Sequence, residues 1–414
     1  MIASLCQREK KGEYVGMRIE SMMLTGTQGS GRTENRPAFN HSNQKEAKSI
    51  EIDGRGNITS IAFLADGKHV VSGGDEGKIR RWRAEDGRGV GKPMNAGSSV
   101  GNIAVSQDGK WVVSGTTSGQ VTVWNAESHS KVTEWKAHRF CVGALDVSPD
   151  GTRIATGSDD NTLSMWSRAT GERLVDPLEH DGWVVAVRFS PNGRFIATAA
   201  FGRDIRVYAS DSFTVGLLVD VPVKVDVIFN QSLVWASDSK QLFALSRDGK
   251  INCFDASSGR TRSEWPIHSS DNANCIALAS NGTFIAVSAG SSVSFWDTTT
   301  HEPIGSVVAH KHTHGIWSMA ISADYDLLMS GGSKITVHNL RDVLPSPYCD
   351  DVSALVSKAR CTSWVPNHSP LFFGCDRCSV SGKSHARGLK KPIPRRPTNP
   401  VAHRRRAQVR SLAP

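Results

Sequence analysis

The chain has 414 residues, a formal net charge of +9 and 38% hydrophobic residues. No run of 18 apolar residues occurs, which speaks against a membrane-spanning helix. The N-terminus (MIASLCQREKKGEY) meets charges after a short apolar stretch, unlike a secretory signal, so the eight Cys are expected as reduced thiols in a cytoplasmic or nuclear, non-secreted protein.

In chain order, residues 1–45 come first as a flexible arm. Within it, residues 26–33 (GTQGSGRT) imitate a phosphate-binding loop with Arg32 where Lys is wanted. That chemistry needs a preceding strand and a following helix, and the segment ENRP after it is a poor helix opening. The Gly/Ser-rich stretch therefore reads as arm rather than nucleotide site.

From residue 46 to 345 one pattern dominates. Trp82, Trp124, Trp166 and Tyr208 are each 42 residues apart; after one step of 46 come Phe254, Trp296 and His338, again at 42. A fixed period in this range marks one supersecondary unit repeated in tandem, each unable to bury its apolar face alone. Asp66-Gly67, Asp108-Gly109, Asp150-Gly151, Asn192-Gly193 and Asn281-Gly282 keep the same beat ahead of their ruler residues. Such dipeptides predict two-residue hairpin turns with both central residues at positive φ. Asp238-Ser239 and Asp324-Tyr325 are assigned by phase alone and allow looser turns. Around each turn, runs such as Ile58, Ile61, Phe63 or Val185, Val187, Phe189 alternate as antiparallel strands do, and no helix-length periodic segment intervenes.

These residues resemble the WD-repeat family, whose units of about 40–45 residues carry four strands each and close radially into a β-propeller. The name-giving dipeptide is literal at Trp296-Asp297, with Phe254-Asp255 close to it. The family also opens each unit with a His. Counting back 28 residues from the ruler finds His138, His180, His268 and His310, four of seven slots, where 14 His in the whole chain would place well under one. The expected fold is all-β: a seven-bladed propeller with repeats ending near 82, 124, 166, 208, 254, 296 and 338. The resemblance implies that residues 47–52 (AKSIEI) supply the outer strand of the last blade and clasp the ring. It also implies a buried hydrogen-bonded tetrad, complete only in the third unit as His138, Thr156, Asp160 and Trp166. Unit one keeps Ser72 and Trp82 but has Glu76 in the Asp slot; unit five keeps Asp248 alone.

Residues 346–414 read as a Cys-containing, then basic and Pro-rich, disordered tail. Cys349, Cys361, Cys375 and Cys378, with His368, give one close pair and two scattered thiols where structural zinc wants two pairs, so no metal and no cofactor is assigned. Residues 379–414 hold ten Lys/Arg and no acid, which leaves the rest of the chain at −1. Lys390-Lys391 and Arg404-Arg405-Arg406 match a two-part nuclear import signal, and equally allow weak phosphate contact.

No catalytic constellation is legible: there is no nucleophile elbow, no H-E-x-x-H and no carboxylate pair off the repeat pattern. The resemblance implies partner docking on the face where the loops before the first strand and between the second and third strands emerge. The first of these loops places Arg139, Phe140, Asp181, Trp183, His312 and His314 near the rim, and the second supplies Asp75, Thr117, Asp159, Phe201 and Arg247. The expected function is a non-catalytic scaffold that binds a protein or peptide within a multiprotein complex. The alternatives are a nuclear chromatin- or nucleic-acid-associated factor that uses the basic tail, and a propeller enzyme.

Overall fold

The computed structural model describes residues 49–52, 56–201, 205–210, 215–220, 231–246, 248–267, 273–309, 315–324 and 326–349, with backbone alone at 49, 215–220 and 349. These residues form seven four-stranded antiparallel sheets. Six sheets take consecutive strands. Blade 3, for example, is Ala144–Val147, Arg153–Gly157, Thr162–Ser167 and Leu178–Glu179. The seventh joins Ser318–Ile321, Leu327–Gly331 and Ile335–Asn339 to Ser49–Ile52, with Ser49 opposite His338 and Ile52 opposite Ile335. The first of the described strands thus completes the last blade. Each inner strand packs on the next, and that of blade 7 packs on that of blade 1, which closes the ring.

The seven ruler residues occupy one position in the third strand of every blade. Each lies opposite an aliphatic residue of the second strand, from Trp82 against Val70 and Trp166 against Ile154 to His338 against Leu328. The core lies between blades. Ile79 and Met94 of blade 1 meet Ile103, Val112 and Trp124 of blade 2, and an equivalent cluster fills every interface. That is why a single repeat cannot bury its apolar face and seven can. Side-chain acceptors also tie inner strands together. Ser60 Oγ accepts from the N–H of Ile103 (3.0 Å), and Ser318 Oγ accepts from that of Ile61 (2.9 Å). Gln231, ahead of blade 5, accepts from Met319 N–H at 2.7 Å, donates to Ser318 Oγ at 2.9 Å and offers its carbonyl to Ile276.

The turns between first and second strands differ from the two-residue hairpins expected. A pair such as Leu64 N–H to His69 carbonyl closes four intervening residues, and the same pair recurs in all seven blades at 2.8–3.0 Å. Only the residue after the Asp or Asn adopts positive φ, as at Gly67 (63°) and Gly151 (68°). The dipeptide signal is shared by both turn classes; the longer loop leaves room for a type I turn followed by one left-handed residue. The carboxylate then caps the turn, as Asp66 Oδ1 accepts from Lys68 and His69 N–H. Ser239 takes φ +60° and makes the same bonds, so the turn assigned by phase alone shares the geometry.

A second left-handed position falls five residues after the ruler, at Gly87, His129, Gly171, Gly259 and His301, with φ between 58° and 71°. It caps the turn into the outer strand. Among these residues, His129, lying close to Gly91, meets the outer strand of the preceding blade through Nδ1, which donates to Lys92 carbonyl at 2.7 Å. Beyond residue 345 the chain makes a helical turn, Ser346–Cys349, and Tyr348 donates to Asp297 Oδ2 at 2.7 Å. The phosphate-loop look-alike, Cys361, His368, Cys375, Cys378 and the basic tail lie outside the described residues, as do Arg247, His268, His310, His312 and His314.

Candidate loop-face site

Blade 3 anchors the loop face through one buried hydrogen-bonded chain. Trp166 Nε1 donates to Thr156 Oγ1 (2.8 Å), Thr156 Oγ1 lies 2.7 Å from His138 Nε2, and His138 Nδ1 lies 3.0 Å from Asp160 Oδ2. Each group has one free role in this sequence. The indole can only donate, the carboxylate can only accept, and so the imidazole carries its proton on Nδ1 and accepts on Nε2. Asp160 further accepts from Thr162 Oγ1 (2.6 Å) and the Arg139 N–H (3.1 Å). Burial alone would push its carboxyl up; the bonds from His138 and Thr162 outweigh it and hold the group well below the usual carboxylate range. The loop before blade 3 is thereby bolted to its second and third strands.

Other blades hold fragments of this chain. Trp82 donates to Ser72 (2.8 Å), and Glu76 pairs with Arg80 instead of a His. Trp124 donates to Ser114 (3.0 Å). In blade 4, His180 Nε2 shares Thr198 Oγ1 (3.0 Å) and the Tyr208 hydroxyl (3.2 Å). Trp296 turns its N–H to Ser294, two residues away on its own strand. His338 is buried in the equivalent place, and burial pushes its pKa down to about 4.

The inner rim of the same face is built from residue pairs 18 apart. The N–H of Asp75 donates to the carbonyl of Asn57 (3.2 Å), Thr117 to Ser99 (2.9 Å), Asp159 to Cys141 (3.1 Å) and Phe201 to Trp183 (2.8 Å). Neighbouring pairs are stitched by Val142 N–H to Thr116 carbonyl and Val184 N–H to Ser158 carbonyl, both 3.0 Å. Asp159 and Trp183 therefore flank one hydrogen bond across the blade 3–blade 4 boundary. The chemistry changes from pair to pair. Asn57 Nδ2 donates to Asp75 Oδ2 at 2.9 Å, and Thr117 Oγ1 reaches the Ser99 carbonyl at 3.4 Å. Trp183 and Phe201 pack ring to ring with centroids 5.7 Å apart. Asp159 makes no side-chain hydrogen bond or ion pair among the described residues. Burial, and then the charge of Asp160, push its carboxyl up to about 6.

The residues singled out in the sequence fall as follows. Asp159 and Trp183 flank one backbone hydrogen bond between blades, and Phe201 packs on Trp183. Phe140 precedes Cys141 and is 49% exposed, one of two large hydrophobics so exposed among the described residues. Arg139 gives its backbone N–H to Asp160 and leaves its side chain exposed. Asp181 stands apart, 3.3 Å from Arg206 Nη2. Asn57 and Cys141 were not singled out; the signal that finds them is the offset of 18 from Asp75 and Asp159.

The fold and the anchored loop face define a seven-bladed WD-type propeller. The profile of the WD domain, G-beta repeat, matches residues 48–83, 93–125, 129–167, 173–209, 259–297 and 301–337, more than half of the chain. The chain belongs to the WD-repeat family, whose propellers commonly serve as protein-interaction scaffolds. Blade 5 is the one blade whose repeat the profile passes over. Comparison with curated proteins returns no match.

Proposed function

We propose that this propeller is a non-catalytic scaffold that engages a protein or peptide partner, within a multiprotein complex, through the loop face of blades 3 and 4. The observation that carries the reading is that exposed Phe140, half-buried Asp159 and the half-buried Trp183–Phe201 pair stand on neighbouring loops, one of them fixed by the tetrad. Aromatic side chains held on a rigid frame bury much area at little entropic cost, which is the chemistry of interface hot spots. Proximity labelling with the full chain and with a Trp183→Ala/Phe201→Ala variant tests it. Loss of a defined set of neighbours in the variant, with retention in Lys110→Ala on the opposite face, is the expected result. An unchanged set removes blades 3 and 4 from the role.

A second reading rests on the ten Lys/Arg of residues 379–414, with no acid among them. In it the protein is a nuclear, nucleic-acid-associated factor whose tail contacts phosphate. Binding to duplex DNA that falls steeply with salt, and disappears on deletion of 379–414, supports this reading; salt-independent binding defeats it.

A further inference from the structure

Four pairs on the inner rim share one backbone geometry, and in three of them the second residue has a contact of its own. Asp75 is held by Asn57, Thr117 by the carbonyl of Ser99, and Phe201 by the ring of Trp183. Asp159 is the exception. Its partner across the pair, Cys141, meets it through the backbone, and no donor or cation among the described residues reaches its carboxylate. The adjacent Asp160 is already satisfied by His138, Thr162 and the Arg139 N–H, so it adds only like charge. Arg139, the cation nearest in sequence, is exposed and makes no ion pair among the described residues. A carboxylate half-sheltered beside a second carboxylate is unfavourable unless something compensates it.

The residue facing it across the blade boundary is aromatic. Trp183 lies across the Val184–Ser158 hydrogen bond from Asp159, with Phe201 packed on it. An aromatic pair next to an uncompensated carboxylate suits one class of group better than others: a long side chain with a positive head and an apolar stem. The head gains a counter-ion and a favourable ring quadrupole, and the stem gains apolar contact. An anionic or neutral side chain would leave the charge of Asp159 as it stands.

We infer that the inner rim between blades 3 and 4 receives a lysine or arginine side chain from an extended segment of a partner protein, with Asp159 as counter-ion and Trp183 and Phe201 alongside the stem. The inference rests on the loop-face reading above and names the chemistry of its partner.

A randomised peptide library displayed against the full chain tests it. Enriched peptides are expected to share Lys or Arg at one fixed position. A selected peptide should bind Asp159→Asn about tenfold more weakly or worse, as should the peptide with that Lys changed to Gln against the unaltered protein. Combining the two changes should cost little more than either alone, which marks a direct pair. Asn preserves the shape of Asp, and an unreduced melting temperature of Asp159→Asn verifies that it folds. Equal affinity of the selected peptide for Asp159→Asn overturns the inference. If that affinity still falls in Trp183→Ala/Phe201→Ala, the loop-face reading survives; if neither variant weakens binding, or no peptide is enriched, both fall.

Discussion

His301 lies flat on Trp265, with ring centroids 4.0 Å apart and planes 14° apart, so that a turn of blade 6 is seated on the outer strand of blade 5. The same contact recurs with other residues wherever the left-handed position five residues past the ruler meets the preceding blade. In blade 3 it is Gly171 against Trp135, whose ring would lie 2.8 Å from an added Cβ. In blade 1 it is Gly87 against Ile52. The blades are therefore joined at their outer edges as well as around the axis.

Gly171→Val should be among the more damaging single changes at the surface. It places a β-branched residue at φ 71° and drives a methyl into Trp135. A loss of about 2–3 kcal/mol is expected. Gly193→Val, at φ 69° with the nearest atom 3.4 Å away, carries the backbone cost with less of the clash and should lose less. Urea midpoints of the two variants check the difference.

Removing members of the tetrad should not be additive. Trp166→Phe deletes one donor and should cost about 1 kcal/mol, while His138→Ala strands Asp160 and Thr156 and should cost about 3 kcal/mol. The double variant should fall short of the sum. Because the folded-state pKa of Asp160 is depressed, its contribution is present above the ordinary carboxylate range and is lost as pH falls below about 4. Asp160→Asn should remove that part of the acid sensitivity, as denaturant titrations between pH 7 and 3 would show.

Asp159 has the opposite sign. A carboxyl raised to about 6 binds its proton more tightly in the folded state. Stability is then lost as pH rises from about 4 to about 6, and the full penalty stands above that. Allowing for partial solvent access, Asp159→Asn should be about 1–2 kcal/mol more stable than the parent at pH 7.5 and nearly equal to it at pH 3.5. A variant that is less stable at pH 7.5 would contradict an uncompensated charge at this position.

His338 provides a third pH signature, at the closing blade. Burial pushes its pKa down to about 4, against about 6.5 for an unfolded His. The unfolded chain binds the proton first, so stability declines as pH falls from about 6.5 to 4. The decline attributable to this group is at most about 3 kcal/mol. His338→Leu should flatten it, measured as the difference from the parent between pH 7.5 and 4.5.

How far the sequence could be read is clear from particular residues. Trp82 to His338 were legible because a ruler residue and its aliphatic partner on the second strand recur at nearly constant spacing, and periodicity reports register directly. Asp66-Gly67 located a turn without fixing its class, because one residue at positive φ and two use the same dipeptide. The step of 46 before Phe254 marked an irregular unit, and the inner strand there is only Leu233–Trp235. Blade 3 shows the reverse: its tetrad is complete, yet its outer strand is only Leu178–Glu179, which follows Pro177. At the loop face, aromatic and charged residues could be assigned to a side of the ring by counting. Their adjacency could not, because Asp159 and Trp183 are brought side by side by the Val184–Ser158 backbone bond, which leaves no side-chain signature.

The pairing of Ser49–Ile52 with Ile335–Asn339 sets an order of events during synthesis. Ser49–Ile52 is synthesised before any strand of the seventh repeat and has no sheet to join until that repeat has followed it. Until then the ring stays open, with two edges able to recruit a strand from another molecule. Its completion is the longest-range strand pairing among the described residues, and contacts of that kind are slow to form. A chain ending between residues 310 and 334 would keep six complete blades and lose the latch.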